Sequence, residues 1–355
     1  MTSAPTIRDI AKAAGVHFTT VGLALRNDPR ISGATVARVR EAAEKLGYRP
    51  NPMVSALMKN VRGGRLTRSH VTIGFCSHWE WEGREGWKQL RTHRLFFEGA
   101  SQRAESLGYH IDHFNLAQAG YTPARWSQIF KTRNITGLIL ASFEKLTHDL
   151  PLDWDAFSTV RIDPNPQNPH LDTVCTNHSQ TVRVAFRQAR ARGYQRIALA
   201  SHQLWDERLG DALLSGFLVE QSTVPVRQRV PAFRTYDWTK EAFADWHAKT
   251  RPDALIAMND EKVLGWLDAL NIKVPRDLGF ISLDQRPETD GIAGMRKNHE
   301  LLGASATDMV IGKMQHNERG IPEFPRLILI AGKWIDGKSI CSLPKGIGDP
   351  SADIG

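Results

Sequence analysis

Apolar residues recur at helical spacing in three short runs at the start of the chain. Ile7, Ile10 and Ala11 form the inward stripe of a helix from Ile7 to about Ala14. Val21 and Leu25 mark a second helix from about His17, and Val36, Val39, Ala43 and Leu46 mark a third. Thr6 and Ser32 supply capping oxygens for the first and third, with Asp9 completing a short capping box. Gly15 and Gly47 stand where those two helices end. Small Ala11, Gly15 four residues on and Val21 six beyond make the three-point spacing of a helix-turn-helix. The first turn of the second helix exposes His17, Phe18 and Thr19, the positions that meet base edges when such a helix enters a major groove. Phe18 and Leu23 fit core packing equally well.

From Val71 the pattern changes to strand-like apolar runs alternating with helical ones, which predicts parallel sheets covered by helices. Strands are expected at 71–75, 109–114, 137–141 and 159–163, with helices over 94–107 and 125–132 between them. A second half repeats the rhythm, with helices over 181–192 and 261–270 and strands at 196–200, 254–258 and 278–283. Binding residues in such sheets lie at the carboxyl ends of strands. Asn259 and Asp284 follow two of these strands, and Asp260 suits a helix cap. Trp79, Trp81, Trp87 and Trp205 also follow strands, and flat faces with a polar edge suit sugar rings. Most of the ten tryptophans are expected in the core or at interfaces and one or two in the cleft, with Trp79 and Trp205 as the candidates.

Charge sharpens this division. The chain of 355 residues is long enough for two or three domains, and its formal charge is +8. Residues 1–68 carry twelve Lys and Arg against four Asp and Glu, whereas residues 69–355 hold 34 of each sign. The whole excess sits on the first fifth of the chain, which points to a polyanionic partner for that segment alone. No apolar run approaches the ~20 residues that span a bilayer. The N-terminus has no basic-then-apolar leader, and Cys76, Cys175 and Cys341 have neither disulfide nor zinc spacing. A cytoplasmic protein without membrane contact is expected.

Thr6-Ile7-Arg8-Asp9-Ile10-Ala11, Ala14-Gly15-Val16 and Leu46-Gly47-Tyr48-Arg49-Pro50-Asn51-Pro52 together resemble the DNA-binding headpiece of the LacI/GalR family of bacterial transcription regulators. The resemblance runs ungapped over about fifty residues. It implies a small all-α helix-turn-helix headpiece over 1–50 and a hinge helix with a basic linker over 51–69. A two-lobed α/β periplasmic-binding-protein-like effector domain would fill 70–343, leaving a disordered tail over 344–355. It further implies DNA contacts at Thr6, His17, Phe18, Thr19, Thr20, Asn27, Arg30 and Tyr48. In the hinge, Asn51 caps, Ser55 contacts DNA and Leu57 falls on the position that wedges into the minor groove; packing of Leu57 on its own headpiece is the other reading. Effector contacts are implied at Asn259 and Asp284. The family's arginine three residues before a Gly-aromatic pair is absent, since Leu213 stands there before Gly216-Phe217, and Arg208 is the nearest substitute. His17 stands in place of the usual serine, and Gly22-Leu23 in place of a polar pair, so the operator is not inherited from better-known members. The expected partners are a palindromic double-stranded operator, a sugar-like small-molecule effector, and a second copy of the chain in a homodimer or tetramer.

Two rival readings have specific support. Gly332-Lys333-Trp334-Ile335-Asp336-Gly337-Lys338-Ser339 satisfies the written P-loop pattern, but a true P-loop opens a helix, and Ile340 to Pro344 is short and ends in proline. It reads better as the last strands of the body. A solute-binding protein would suit the body but not the basic head. Catalytic motifs are missing: there is no Gly-x-Ser-x-Gly and no His-Glu-x-x-His. His110 and His113 share a strand but point to opposite faces, so they are poor co-ligands. No cofactor, metal or enzymatic activity is expected.

Overall fold

The computed structural model describes residues 7–25, 30–46, 71–79, 86–143, 150–163, 169–258, 260–289 and 291–343. The chain forms two compact units, Met1–Ser69 with Met314–Glu318 and His70–Lys313 with Arg319–Gly355. Thr6, Asn27, Tyr48, Asn51, Ser55, Leu57, Trp81 and Asn259 lie outside the described residues, as do the hinge and the tail.

In the first unit three helices enclose a small core: α1 (Ile7–Ala14), α2 (Phe18–Ala24) and α3 (Gly33–Lys45). Gly15 takes φ 62° as the chain leaves α1, and the Val16 amide closes the turn on the Ala11 carbonyl. Ser32 caps α3 by accepting from the Thr35 amide. Ile10, Ala11, Ala14, Val21, Ala24, Val39, Ala42 and Ala43 are buried together. The small residues matter here, because alanines let three short helices approach closely enough to exclude water. Leu46 departs from the expected stripe: it is the C-cap residue, one step beyond the last turn of α3, and is 39% exposed.

The second unit holds two six-stranded sheets. The first contains β1 (Val71–His78), β2 (Tyr109–Asn115), β3 (Gly137–Phe143), β4 (Ser158–Ile162), β5 (Thr173–Thr176) and β11 (Leu327–Ile330), in the order β11-β5-β4-β3-β1-β2. The second contains β6 (Ile197–His202), β7 (Phe233–Thr235), β8 (Ala254–Ala257), β9 (Gly279–Ser282), β10 (Gly294–Arg296) and β12 (Lys333–Ile335), in the order β12-β10-β9-β8-β6-β7. Their pairing is parallel except for β10 with β12. Adjacent residues of β8 feed opposite cores, Leu255 packing with Phe243 and Phe280, and Ile256 with Phe186 and Phe217. A parallel strand buried on both faces needs this continuous apolar run.

The chain passes between the sheets three times. α6 (His178–Ala191) follows β5 and leads to β6; α11 (His299–His316) follows β10 and leads to β11; Ala331-Gly332 then joins β11 to β12. α6 begins three residues earlier than its apolar stripe predicts, because Asn177 caps it by accepting from the Gln180 amide. Likewise α4 (Arg91–Ser106), between β1 and β2, begins three residues before the expected Arg94.

Two glycines bring α4 and α11 into backbone contact. A Cβ on Gly303 would lie 2.0 Å from the Phe96 carbonyl oxygen, and one on Gly99 would lie 2.0 Å from that of Glu300. Thr307 donates across the same seam to the Ala100 carbonyl at 3.3 Å. Gly303→Ala must therefore push the helices apart, and a loss of about 1–3 kcal/mol is expected in urea unfolding. A change below about 0.5 kcal/mol would mean that the seam yields freely.

Candidate functional site

The first candidate surface lies on the head. His17 enters α2 in an extended conformation, and its Nδ1 lies 2.9 Å from Thr19 Oγ1 rather than capping the helix. Its ring lies 4.3 Å from that of Phe18, which is 48% exposed. The structure thus places Phe18 outside the core, while Leu23 is half-buried. His17 and Thr19 are exposed, Thr20 is half-buried, and Arg30 is exposed. Arg8 and Lys12 of α1 line a concavity of about 450 Å³ with Ala11, Gly15, Val16, His17 and Phe18. An exposed aromatic and two hydrogen-bonding side chains beside two cations can contact base edges and phosphates together.

The second candidate lies in the body, where residues at strand ends of the two sheets interact. Asp163 follows β4 with φ 64°, His178 follows β5, Asp284 follows β9, and Lys297 and His299 follow β10. The Asp284 carboxylate lies 3.2 Å from His299 Nε2. Burial works to raise the Asp284 pKa, but Lys297, His299 and Arg91 outweigh it and hold the carboxyl well below the ordinary range. Asp163 goes the other way: burial and the negative charge of Asp284 push its carboxyl up against the pull of Lys297 and His299. Burial, helped by Lys297, drives the His178 imidazole well below its usual pKa. The Lys297 ammonium also contacts Met258 Sδ at 3.7 Å.

Of the residues the sequence pointed to, Asp284 belongs to this cluster. Arg208 and Trp205 pair with each other on α7 (Gln203–Arg208), just after β6, the guanidinium 4.6 Å from the indole centroid. Trp79 follows β1, half-buried, with its backbone clasped by the Asn115 side chain at 2.8 and 3.3 Å. Trp87 is buried and stacked on His113 at 4.5 Å, so it is a core residue and not a cleft wall. His110 is exposed and His113 half-buried, as alternation requires; His113 instead meets Ser77 Oγ at 3.2 Å and His93 Nε2 at 3.0 Å.

Leu213 is fully buried, and its amide donates to Asp206, whose carboxylate also accepts from Arg234 Nε at 3.0 Å. A guanidinium from β7 thus serves the neighbourhood from which the expected arginine is missing. The stretch 332–339 runs into β12, and no helix opens at its lysine. Asp163, His178, Lys297 and His299 escaped sequence reasoning, although the strand-end rule that selected Asp284 applies to Asp163 and His178 as well. Among the described residues no helix is long and apolar enough to cross a membrane.

Residues 6–51 match the family model described as bacterial regulatory proteins, lacI family, and residues 186–340 match that of a periplasmic binding protein-like domain. An uncharacterized HTH-type transcriptional regulator of Bacillus subtilis (strain 168), YkvZ, is 26% identical over 333 residues, spanning 87% of this chain and 89% of its own. The lac repressor dimer bound to operator and the anti-inducer ONPF superposes with a TM-score of 0.56 at 18% identity, over 96% of this chain and 100% of that one. A complex of the transcriptional regulator CelR with cellobiose gives a TM-score of 0.56 at 17% identity, over 94% and 99%.

Proposed function

The chain belongs to the lacI family of bacterial regulatory proteins and is a DNA-binding transcription regulator, and from that premise we propose that it is a cytoplasmic repressor whose operator affinity is set by a sugar-like molecule in the cleft. Its role is regulatory rather than catalytic. Residues 1–50 form the reading head, 51–69 the hinge and basic linker, 70–343 the effector and dimerisation domain, and 344–355 a tail. Thr6, His17, Phe18, Thr19, Thr20, Asn27, Arg30 and Tyr48 contact DNA, and Asn51, Ser55 and Leu57 act through the hinge. Asn259, Asp284, Arg208, Trp79 and Trp205 face the effector. Two heads on a symmetric homodimer read two half-sites of a palindrome. Effector binding changes the relation of the lobes, and the difference in its affinity for the two states is the coupling free energy felt at the hinge.

The observation that carries this reading is the exposed His17-Phe18-Thr19 face on a segment holding the whole net charge. The test is selection of bound fragments from sheared genomic DNA by the full chain. The recovered fragments are expected to share an inverted repeat; a pool without one overturns the reading. On the selected operator, Leu57→Ala is expected to weaken specific binding by roughly tenfold to a hundredfold, about 1.4–2.8 kcal/mol, while leaving binding to random duplex nearly unchanged. Equal losses on both would remove the wedge role from Leu57.

A further inference from the structure

β11 is an edge strand of the first sheet, and its side chains are open on both faces. Leu327, Ile328 and Leu329 are 58%, 37% and 49% exposed, and Phe324 just before them is 81% exposed. The Thr173 amide donates to the Arg326 carbonyl, and the Asn177 amide to that of Ile330. With Leu327 opposite Thr173 in a parallel ladder, this spacing turns the backbone of Ile328 and Ile330 towards β5. The N–H and C=O groups of Leu327 and Leu329 therefore point outwards, and no strand among the described residues pairs with that edge. Edge strands are ordinarily blunted by a charge, a bulge or a covering element. Between Arg326 and Lys333 this chain has Leu-Ile-Leu-Ile-Ala-Gly and no charge at all.

We propose that β11 pairs with β11 of a second copy, antiparallel about a two-fold axis at Ile328, joining the two first sheets into one. The geometry is self-complementary. Leu327 of one copy faces Leu329 of the other, and each such pair exchanges two backbone hydrogen bonds. All four outward-pointing groups of each strand are then met. Ile328 faces its own counterpart at the intervening close pair, with Cα atoms about 4.5 Å apart. Pro325, two residues before Leu327, has no N–H to offer and ends the ladder on that side.

Area and composition select a second copy over the chain's own tail. At about 150–250 Å² for a large exposed side chain, Phe324, Leu327, Ile328 and Leu329 present roughly 350–550 Å² per copy. Two copies bring together roughly 700–1,100 Å², the lower end of what a specific interface needs. The uncharged stretch from Leu327 to Gly332 lets the two strands meet without like charges facing. Residues 344–355 offer only Ile347, Ala352 and Ile354 among Gly, Pro and Asp, so they supply no continuous apolar strand. The inference goes beyond the proposed function and uses neither the DNA-reading residues nor the effector groups.

The test is sedimentation velocity of the full-length protein. The wild type is expected to double its assembly mass reversibly between about 1 and 100 μM, the range of a small interface. The doubling reports β11 whether the smallest species is a monomer or the homodimer proposed above. Leu329→Lys, at an exposed position, is expected to weaken the doubling at least tenfold while the smallest species and the melting temperature stay unchanged. Leu329→Pro removes an outward N–H but no bond to β5, and it stands in should the lysine variant misfold. Register is read by cross-linking in a Cys341→Ser background, since Cys341 is exposed. There Ile328→Cys is expected to join two copies by a disulfide on mild oxidation, because the axis sets residue 328 against itself. No doubling of the wild type, doubling unchanged in Leu329→Lys, or no cross-link overturns the proposal. Slow hydrogen exchange at the Leu327 and Leu329 amides of dilute protein, lost on deletion of residues 344–355, assigns the edge to the tail and also overturns it. Selection of genomic fragments by the same preparation is read separately, so failure here leaves the regulator reading standing.

Discussion

A chain lacking residues 1–69 will bind duplex DNA at least a hundredfold more weakly than the full chain at 100 mM salt, and its residual binding will hardly respond to salt. The physical reason is the partition of charge. Residues 69–355 balance at 34 cationic and 34 anionic side chains, so they offer the duplex no net positive charge with which to displace counterions. The first 68 residues carry twelve cations against four anions, and a dimer brings two such segments. If six to ten phosphates are neutralised, affinity of the full chain falls roughly 10³–10⁵-fold between 50 and 200 mM salt. Fluorescence anisotropy of a labelled duplex across that range measures both quantities. Equal affinity with and without the head, or equal salt slopes, would place the DNA contact on the body and remove the basis of the proposed function.

What could be read in advance was local. The three head helices follow from a stripe of Ile, Val and Ala, a Ser32 cap and a glycine at positive φ, all within one or two turns of the residues they govern. The alternation of strand and helix in the body is also a short-range pattern, and it located Asp284 through the strand-end rule. The rest depends on residues distant in sequence. His178 and His299 stand 121 positions apart and share a cluster only because two helical passages start side by side. Alternation correctly separated His110 from His113 but could not supply His93, which arrives from a helix. The tryptophans show the same dependence: Trp87 and Trp79 both follow β1, yet one stacks in the core and the other remains half-buried at the strand end. Composition does not distinguish the two. The contact of Gly99 and Gly303 is likewise invisible, since a helical glycine looks like a propensity defect until the facing helix is known.

Asp172→Ala will destabilise the body by about 3–5 kcal/mol in urea unfolding at pH 7, more than any single cleft substitution. Asp172 is fully buried just before β5 and accepts from Lys313 Nζ at 2.5 Å, from the Arg326 amide at 2.7 Å and from Arg326 Nη2 at 2.8 Å. Lys313 lies on α11 and its side chain is 3% exposed, whereas Arg326 is 53% exposed and can turn to water. Removing the carboxylate therefore strands the lysine ammonium and leaves the arginine tolerable. Lys313→Met is expected to cost less, because Arg326 still serves the carboxylate, and the double variant should lose less than the sum of the two. The pH dependence gives an independent check. Burial works to raise the Asp172 pKa, but hydrogen bonds from Arg326 and Lys313 prevail and hold it at about 2, below the 3.8 of a free carboxyl. A depressed folded-state pKa contributes stability above the unfolded value and loses it as pH falls through that window. Stability of the wild type should thus decline from pH 4 towards pH 2, and this part of the decline should vanish in Asp172→Ala. A loss below about 1 kcal/mol would mean that water reaches Lys313 once the carboxylate is gone. The consequence reaches the cleft, because α11 starts at His299 and is pinned near its far end by this ion triad. A helix fixed there and closely packed on α4 through Gly303 holds His299 against Asp284, so loosening the triad should weaken ligand binding without touching a single group of the Asp284 cluster.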